Sequence, residues 1–321
     1  MLPTWHPTAS REALTRRAEL LGAIRAYFRT SPALEVDTPS LSSHATVDPA
    51  IHSLTTVVQG HPSSVFLQTS PEFPMKRLLA AGLGDIYQIC KVFRDGEQGR
   101  FHNPEFTLLE WYRLGYDHHR LMQEVEALLS ACAPELTHKP AQKHTYRAAF
   151  QNALQLDIDA ALPEIIRVVR RTSADAPPAL SNRDEALDWL MATVVAPGFP
   201  SDCLTFIYDY PPSQAALARL HRTGEGCCAA RFEVYWGQLE LANGFHELTD
   251  AREQENRFLQ EQAVRADRGL SVPPYDRELV QALDAGLPDC AGVALGIERL
   301  LMACLGSDTL ADILTFPFAR A

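Results

Sequence analysis

Apolar positions recur along the chain with a helical period in some stretches and alternate in others. Near the start, Leu14, Leu21 and Phe28 recur at helical spacing and predict a helix over 11–29, with Ser10 placed to cap its first turn. Further helices are predicted at 73–81, 118–131 and 250–268, and another begins at Ile297.

Short apolar or alternating runs between these helices predict strands. They lie at 34–39, 65–68, 86–94, 104–113, 204–208 and 292–296, and a hairpin that turns at Gly237 is predicted over 231–245. Gly96 and Gly99 give turn freedom to the polar loop at 94–103. Strands joined by short turns, with helices to one side, favour an α+β fold built on an antiparallel β-sheet flanked by helices.

The stretch from about 135 to 200 differs in composition from the rest of the chain. It is rich in alanine and helix-like in spacing, with a proline break at Ala174–Ser181. We interpret it as a helical insertion that covers the core of a single catalytic domain spanning 1–321.

Composition and charge narrow the class of protein. Hydrophobic residues make up 46% of the chain and charged residues 21%, as in soluble globular proteins. No apolar run reaches the ~18 residues of a membrane span and no signal pattern opens the chain, so we expect a cytoplasmic protein without a membrane partner. The net charge of -11 argues against a protein that holds long nucleic acids through their phosphates.

The cysteines and one histidine pair have plain structural explanations. The seven cysteines include no CxxC pair, so we expect reduced thiols that are mostly buried. His118 and His119 are expected to open a helix, with a metal role as the alternative.

Three segments carry side chains suited to a nucleotide and a metal ion. In the first, 92–106, an arginine at one strand end and an aromatic on the next strand can share a sheet face, where they suit a phosphate and a purine. In the second, 231–247, Glu233 and Glu240 on antiparallel strands suit a Mg²⁺ ion shared with phosphate oxygens. In the third, 292–299, small residues allow a ligand to approach closely, and an arginine in the first helical turn points toward an anion.

Each segment alone also fits an ordinary structure, namely a solvated hairpin, a solvent-facing acidic strand or a buried glycine-rich strand. Their order and spacing together resemble the class II aminoacyl-tRNA synthetases, specifically the lysine branch. Residues 34–39 resemble motif 1, residues 93–94 with 102–106 resemble motif 2, and 292–300 resemble motif 3, while 240–248 are similar to the carboxylate strand of the lysine enzymes. The resemblance implies the class II catalytic fold and a homodimer formed through motif 1.

The resemblance also implies an ATP site. Arg94 grips the α-phosphate, Arg299 grips the γ-phosphate, and the two arginines carry the catalysis, while Phe106 stacks on adenine. The other residues implied for ATP are Asp95, Gly96, Glu97, His102, Asn103, Glu240, Leu241 and Gly296. Glu233 and Glu240 are implied to hold Mg²⁺.

A second set of residues is implied for the amino acid. Its members are Ser70, Glu72, Glu110, Tyr112, Glu247 and Ala294. Glu72 binds the amine on the backbone side of the substrate, and Glu110, Tyr112 and Glu247 surround the distal ammonium. A substrate with two ammonium groups needs several carboxylates, which this set supplies.

In three features the chain resembles the elongation factor P (R)-β-lysine ligase family more closely than the lysyl-tRNA synthetases. Motif 1 begins at about residue 34, which is expected to leave no room for an anticodon-binding domain. Ser70 and Ala294 stand where the lysine enzymes usually have alanine and glycine. The resemblance implies that ATP activates (R)-β-lysine, or lysine, as an aminoacyl-adenylate, which is passed to a lysine side chain of elongation factor P rather than to tRNA.

Motif 2 departs from the family pattern at one position. The family has a glutamate two residues after the arginine, whereas this chain has Gly96 there and Glu97 one place later. We expect Glu97 to contact the adenine amine through a shifted loop, with recognition by backbone groups as the alternative. Two other functions stay open: a free-standing lysyl-tRNA-synthetase-like enzyme acting on RNA, and a non-catalytic synthetase-like regulator, which Gly96 favours.

Overall fold

The computed structural model describes residues 5–172, 180–224 and 226–321, which form two compact units. Unit 1 contains the described residues up to Tyr116 together with Leu248–Ala321, and unit 2 contains those of Asp117–Glu247. Most of the proline break expected at Ala174–Ser181 lies outside the described residues.

Helices and strands are interspersed along the described chain. The helices are α1 (Arg11–Thr30), α2 (Glu72–Ala80), α3 (His118–Cys132), α4 (Tyr146–Leu154), α5 (Leu162–Thr172), α6 (Arg183–Leu190), α7 (Ala251–Asp267), α8 (Arg277–Gly286) and α9 (Ile297–Leu305). The strands are β1 (Leu34–Glu35), β2 (Leu41–Ser42), β3 (Thr55–Thr56), β4 (Val65–Leu67), β5 (Ile86–Phe93), β6 (Glu105–Leu114), β7 (Gln142–Thr145), β8 (Leu204–Tyr210), β9 (Leu220–Thr223), β10 (Gly226–Trp236), β11 (Leu239–His246) and β12 (Cys290–Gly296). The α+β class predicted from the sequence is confirmed.

The strands of unit 1 form a sheet whose centre is β5 and β6. The order is β1-β5-β6-β12, with β1 parallel to β5 and the other neighbours antiparallel. A smaller sheet has the order β2-β4-β3. Helix α1 packs its apolar side against the unit through Leu20, Ile24 and Phe28, all fully buried, and the ring of Phe28 stacks on Tyr87 with centroids 4.3 Å apart.

The strands of unit 2 are built around the β10–β11 hairpin. The order is β11-β10-β8-β7, β9 also pairs with β10, and only β7 runs parallel to its neighbour. Gly237, at φ +55°, makes the hairpin turn as predicted. Helices α4, α5 and α6 bury a shared cluster that includes Phe150, Ile165 and Leu187.

Some expected elements differ from the structure. The strand predicted over 34–39 is regular only at Leu34–Glu35, because the chain leaves the ladder after the Val36 N–H bonds Tyr87 and then reaches Pro39, which has no N–H to donate. Strand β7 falls inside the stretch predicted as a helical insertion, and neither β9 nor α8 was predicted. Both β7 and β9 are four-residue polar strands that carry no clear period. The interpretation of 135–200 as an insertion into a single domain stays a prediction.

Two further expectations from the sequence concern membrane-spanning helices and the cysteines. In the described part of the chain, no helix is both long and apolar enough to cross a membrane. All seven cysteines are free thiols, but only Cys132, Cys203 and Cys290 are buried, while Cys227 is exposed and the other three are partly exposed, so the expectation that most of them are buried is wrong.

Candidate active site

One face of the unit 1 sheet gathers several of the residues implied for substrate binding. Phe106, Glu110 and Tyr112 stand at even spacing on β6, so their side chains point to the same face. On the neighbouring β12, Ala294 lies opposite Glu110 and Gly292 lies opposite Tyr112. Four residues of strand separate Phe106 from Glu110 by about 13 Å, so this face can meet a base at one end and an ammonium at the other.

A buried carboxylate lies at the end of this face that is implied for the amino acid. The Tyr112 hydroxyl donates to Oε1 of Glu110 at 2.6 Å, and both side chains are about 2% exposed. Across the β5–β6 ladder from Glu110 lies Gln88, also buried, whose Oε1 accepts from the Thr38 hydroxyl at 3.0 Å. Gln88 was not predicted as a site residue, because the apolar pattern of this strand does not show that its glutamine is buried.

The start of α2 holds the second carboxylate implied for the amino acid. The Ser70 hydroxyl accepts a hydrogen bond from the backbone N–H of Glu72 at 3.2 Å, and Glu72 begins the helix, where the helix dipole favours a negative charge. Lys76 Nζ, itself 1% exposed, donates to Glu72 Oε1 at 2.6 Å. Lys76 was missed as well, although its spacing of four residues from Glu72 was the available signal.

The loop after β5 holds the arginine implied for the α-phosphate. The Arg94 guanidinium lies over the Phe106 ring, 5.1 Å from its centroid, and its Nη1 is 3.6 Å from Oε1 of Glu97. Gly96 has φ +78°, a backbone conformation that other residues rarely adopt, while Asp95 is exposed. The glycine therefore turns the loop so that Glu97 reaches Arg94.

The start of α9 holds the arginine implied for the γ-phosphate. Gly296 caps this helix, and Nη2 of Arg299 lies 2.9 Å from Nε2 of His102. Burial lowers the pKa of His102 below 6.5, and the charge of Arg299 lowers it further. Asn103 is committed to the backbone, since its amide donates to the Glu105 carbonyl at 2.7 Å and its oxygen accepts from the Phe318 N–H at 3.0 Å.

Glu298 fixes the first turn of α9 against β6. Its carboxylate accepts hydrogen bonds from the backbone N–H and the hydroxyl of Thr107, both at 2.8 Å, and Arg17 of α1 lies 3.2 Å away. The side chain is buried. This residue, which sequence reasoning did not single out, orients the helix turn that carries Arg299.

In unit 2 the β10–β11 hairpin carries the carboxylates implied for Mg²⁺. Both Arg231 and the Tyr235 hydroxyl hydrogen-bond to the carboxylate of Glu233. Burial disfavours the charged guanidinium, but the charges of Glu233 and Glu240 and the two neighbouring tyrosines, Tyr210 and Tyr235, together outweigh this effect and raise the pKa of Arg231 above its ordinary value. The Glu233 side chain is therefore held in one orientation by two partners on its own strand.

A bulge in the hairpin brings Glu240 to the face that carries Glu233. Glu233 lies opposite Asn243 on the partner strand. Two residues further on, Tyr235 lies opposite Glu240, because the ladder skips Leu241. In a regular ladder Glu240, three positions from Asn243, would point to the other face. Because the buried Leu241 is the extra residue of the bulge, the side chain of Glu240 points to the same face as that of Glu233.

The Glu233 and Glu240 pair has the donor chemistry that Mg²⁺ needs. Burial is the largest cause of the raised pKa of Tyr235, and the charges of Glu233 and Glu240 raise this pKa further. Both carboxylates are therefore near the Tyr235 hydroxyl. Mg²⁺ is usually bound by one or two carboxylates together with substrate phosphates and water. Each carboxylate has about four lone-pair positions, so Glu233 can accept from Arg231 and Tyr235 and still offer a lone pair.

Glu247, the last carboxylate implied for the substrate, follows β11 and is 1% exposed. It pairs with Ala218 in an isolated bridge, and the Arg219 side chain donates to its backbone carbonyl at 2.9 Å. The backbone of Glu247 is thereby held in place directly after β11.

The residues implied for ATP and the amino acid thus fall into two groups. The structure brings Arg94 to Phe106 and Glu97, Arg299 to His102, and Ser70 to Glu72, and it sets Glu110, Tyr112 and Ala294 side by side, all in unit 1. Glu233, Glu240 and Leu241 share a hairpin in unit 2, and Glu247 follows the end of its second strand. The individual roles stay predictions.

Comparison with known proteins identifies the family. The model of class II tRNA synthetases (D, K and N) matches residues 4–320. The chain is 46% identical over 332 residues to the elongation factor P–(R)-beta-lysine ligase of Vibrio parahaemolyticus, and 47% identical over 328 residues to that of Vibrio campbellii, covering 100% of both chains in each pair. It is 46% identical to the protein of the same name from Salmonella gallinarum, over 99% of this chain and 98% of the relative. The protein therefore belongs to the class II tRNA synthetase family (D, K and N).

Proposed function

We propose that the enzyme activates (R)-β-lysine with ATP and transfers it to a lysine side chain of elongation factor P. The relatives that match along their whole length carry the name of this activity. The observation that carries the proposal is the buried Glu110–Tyr112 pair beside Ala294 on the sheet face that ends at Phe106 and Arg94. A buried carboxylate of this kind favours a substrate with an ammonium group, because charge-assisted hydrogen bonds are about twice as strong as neutral ones.

The first step forms an aminoacyl-adenylate. A carboxylate oxygen of the amino acid bonds to the α-phosphorus of ATP, and the bond from this phosphorus to the bridging oxygen breaks, so pyrophosphate leaves with the electron pair. The substrate oxygen is already charged, so no protein group needs to remove a proton. The chain's contribution is orientation of the two reactants and stabilisation of the charge that develops on the phosphates.

The charge-stabilising residues are assigned by chemistry. Arg94 is proposed for the α-phosphate and Arg299 for the γ-phosphate, since a guanidinium binds phosphate oxygens through two parallel hydrogen bonds. Arg299 already uses part of its donor fork on neutral His102, which keeps the guanidinium in one orientation. We propose that Glu233 and Glu240 hold Mg²⁺, which when bound supplies further positive charge to the phosphates.

The carboxylates of the amino-acid site are proposed to divide the two ammonium groups of the substrate between them. Glu72, at the start of α2, is assigned to the amine nearer the carboxylate, and Glu110 with Glu247 to the distal ammonium. In (R)-β-lysine the first amine lies one carbon further along the chain than in α-lysine. Ala294 lies directly across the ladder from Glu110. Compared with the glycine that the lysine enzymes usually have there, its methyl group changes the shape of the pocket floor. A difference of this size shifts discrimination by about 1–3 kcal/mol.

The second step transfers the activated acyl group. The neutral side-chain amine of the acceptor lysine bonds to the carbonyl carbon of the adenylate, the bond to the AMP oxygen breaks, and the amine nitrogen loses a proton. The product is an amide on elongation factor P, with AMP released. A homodimer formed through the segment around 34–39 and a cytoplasmic location belong to the same proposal.

Exchange of radioactive pyrophosphate into ATP tests the first step without the acceptor. We expect exchange that depends on (R)-β-lysine and is weaker with α-lysine, and that falls when Glu240→Gln removes a charge proposed to hold Mg²⁺. An enzyme that acts on RNA instead would prefer α-lysine and charge RNA in a second assay. A regulator without catalysis would show no exchange with either isomer, and that result would end the proposal.

A further inference from the structure

A cluster of two imidazoles and one carboxylate lies in unit 2, apart from the residues assigned to the reaction. The Nε2 atoms of His118 and His221 lie 3.1 Å and 2.9 Å from the same atom, Oδ1 of Asp209. The three ligand atoms all fall within 4.8 Å of one another. Three atoms of the kinds that bind metal ions therefore lie close together, with the carboxylate oxygen between the two imidazoles.

Three separate elements bring these side chains together. His118 is the first residue of α3, Asp209 lies near the end of β8, and His221 lies on β9. The side chains of His118 and Asp209 are 4% and 9% exposed, while that of His221 is 28% exposed. The cluster is thus sheltered on two sides and open on the third, which leaves an entry path for an ion.

The backbone at Asp209 is in an unusual conformation that aims its carboxylate at both histidines. Its φ is +58°, in the left-handed region that residues other than glycine seldom adopt. The register between β8 and β10 shifts at this point, with Tyr208 opposite Phe232 and Tyr210 opposite Ala229. Strained conformations of this kind cluster at binding sites, where the surroundings hold them in place.

The orientation of His118 is fixed by packing rather than by a hydrogen bond at its other nitrogen. Its ring lies 4.0 Å from that of His119, which in turn packs edge-on against Tyr208 at 5.3 Å. In the described part of the chain, Nδ1 of His118 has no hydrogen-bond partner. The proton can therefore move to Nδ1 and free the Nε2 lone pair without breaking another hydrogen bond.

We propose that His118, Asp209 and His221 form a binding site for a divalent transition-metal ion of the Zn²⁺ class. A tetrahedron with Zn–N and Zn–O bonds of about 2.0–2.1 Å has edges of about 3.3 Å, so the two N···O separations of 3.1 Å and 2.9 Å need to widen by only a few tenths of an ångström. Two imidazoles favour Zn²⁺ over Mg²⁺, which prefers oxygen ligands. The site would give the ion three protein ligands and leave the fourth position to a water molecule, as in zinc sites whose fourth ligand is exchangeable.

A second cluster, His44 with Asp276 and Glu278, is a weaker candidate. Asp276 already caps α8 by accepting from the Leu279 N–H at 2.8 Å, and the Glu278 side chain is 47% exposed. This cluster supplies the matched control, because His44→Gln removes an imidazole from it and leaves the proposed site intact.

The test uses the full-length enzyme with Zn²⁺ and Co²⁺ as probes. Metal retained after dialysis is measured by elemental analysis, and affinity by competition with a chromophoric chelator. Asp209→Asn removes the charge, keeps the shape and suits a positive φ, while His221→Gln changes the most exposed ligand. Circular dichroism and the melting temperature report whether each variant is folded.

We expect one tightly bound Zn²⁺ per chain in the parent and in His44→Gln, and affinity at least about 100-fold weaker in Asp209→Asn and His221→Gln, since loss even of a supporting residue costs 10–100-fold. The Co²⁺ spectrum should lack a thiolate charge-transfer band. Absence of retained metal, equal affinity in the Asp209 variant, a thiolate band in the Co²⁺ spectrum, or binding that depends on His44 would overturn the proposal. None of these outcomes depends on whether the enzyme activates lysine.

Discussion

Nη2 of Arg299 lies 2.9 Å from Nε2 of His102. A guanidinium can only donate hydrogen bonds, so Nε2 of His102 must be the acceptor and the ring proton sits on Nδ1. Burial and the charge of Arg299 both lower the pKa of His102, which keeps the ring neutral and the contact intact at neutral pH. A proton on Nε2 would replace this hydrogen bond by a repulsion between two cations.

The pKa of His102 in the folded enzyme is therefore expected below 6.5, the value for an unperturbed histidine. Because the unfolded chain then binds the proton more readily, His102 makes stability fall as the pH drops below about 6.5 and not above it. A titration followed by nuclear magnetic resonance gives this pKa, with His102→Gln to assign the signal. Arg299→Ala should raise it, and a value at or above 6.5 in the parent would contradict the inference.

Removal of the Glu110 charge should affect the amino acid and not ATP. Glu110→Gln is expected to lower kcat/KM for the amino acid by about 100-fold or more, as expected when one partner of a buried charge pair is lost. Tyr112→Phe, which removes the 2.6 Å hydrogen bond to Glu110, should cost about tenfold. Pyrophosphate exchange measures both, with the KM for ATP unchanged.

A matched tyrosine–glutamate pair serves as the control for Tyr112. The Tyr87 hydroxyl donates to Glu35 at 2.8 Å, and Tyr87 lies opposite Trp111, on the other face of the sheet from Tyr112. Tyr87→Phe should leave kcat/KM unchanged. An equal loss in Tyr87→Phe and Tyr112→Phe would mean that both act through stability alone.

Glu97 is expected to take the place of the glutamate that motif 2 lacks at Gly96. It lies 3.6 Å from Arg94, at the edge of the proposed ATP site. Glu97→Ala should raise the KM for ATP about tenfold, the cost of one hydrogen bond to a charged group, and leave the KM for the amino acid unchanged. Gln98→Ala, at an exposed neighbour, is the control. An unchanged KM for ATP in Glu97→Ala would favour recognition of adenine by backbone groups.

Lys76 is expected to matter for stability because it neutralises Glu72. Its side chain is 1% exposed, so Lys76→Met leaves a partly buried carboxylate without this cation and should cost roughly 3 kcal/mol in the free energy of unfolding. Lys91→Met breaks the half-exposed pair with Glu105 and should cost less than about 1 kcal/mol. Denaturant unfolding gives both values, and equal costs would show that burial does not strengthen the Lys76 pair.

The longer elements could be predicted because each one repeats a single period over many residues. Helix α1 shows apolar residues at helical spacing after a Ser10 cap that accepts from the Ala13 N–H, and β5 and β6 form apolar runs around a polar loop. Strand β7 could not be predicted, because its four polar residues form a strand only by pairing with β8, a contact distant in sequence.

In the candidate site, too, the features that follow a local pattern could be predicted, and those that depend on tertiary structure could not. The resemblance supplied the residue types, and alternation along β6 correctly indicates that Phe106, Glu110 and Tyr112 share a face. The facing of Glu240 depends on the bulge at Leu241, and no local pattern in the sequence predicts a bulge at that position. The cluster around Asp209 also depends on tertiary structure, since its three residues come from α3, β8 and β9.

The most direct test of the central proposal is the intact mass of elongation factor P after incubation with the enzyme, ATP and one lysine isomer. We predict a mass increase of one lysyl group with (R)-β-lysine, a smaller yield with α-lysine, and none when the acceptor lysine of elongation factor P is replaced by arginine. An unchanged mass with both isomers, while RNA in the same mixture becomes charged, would contradict the account.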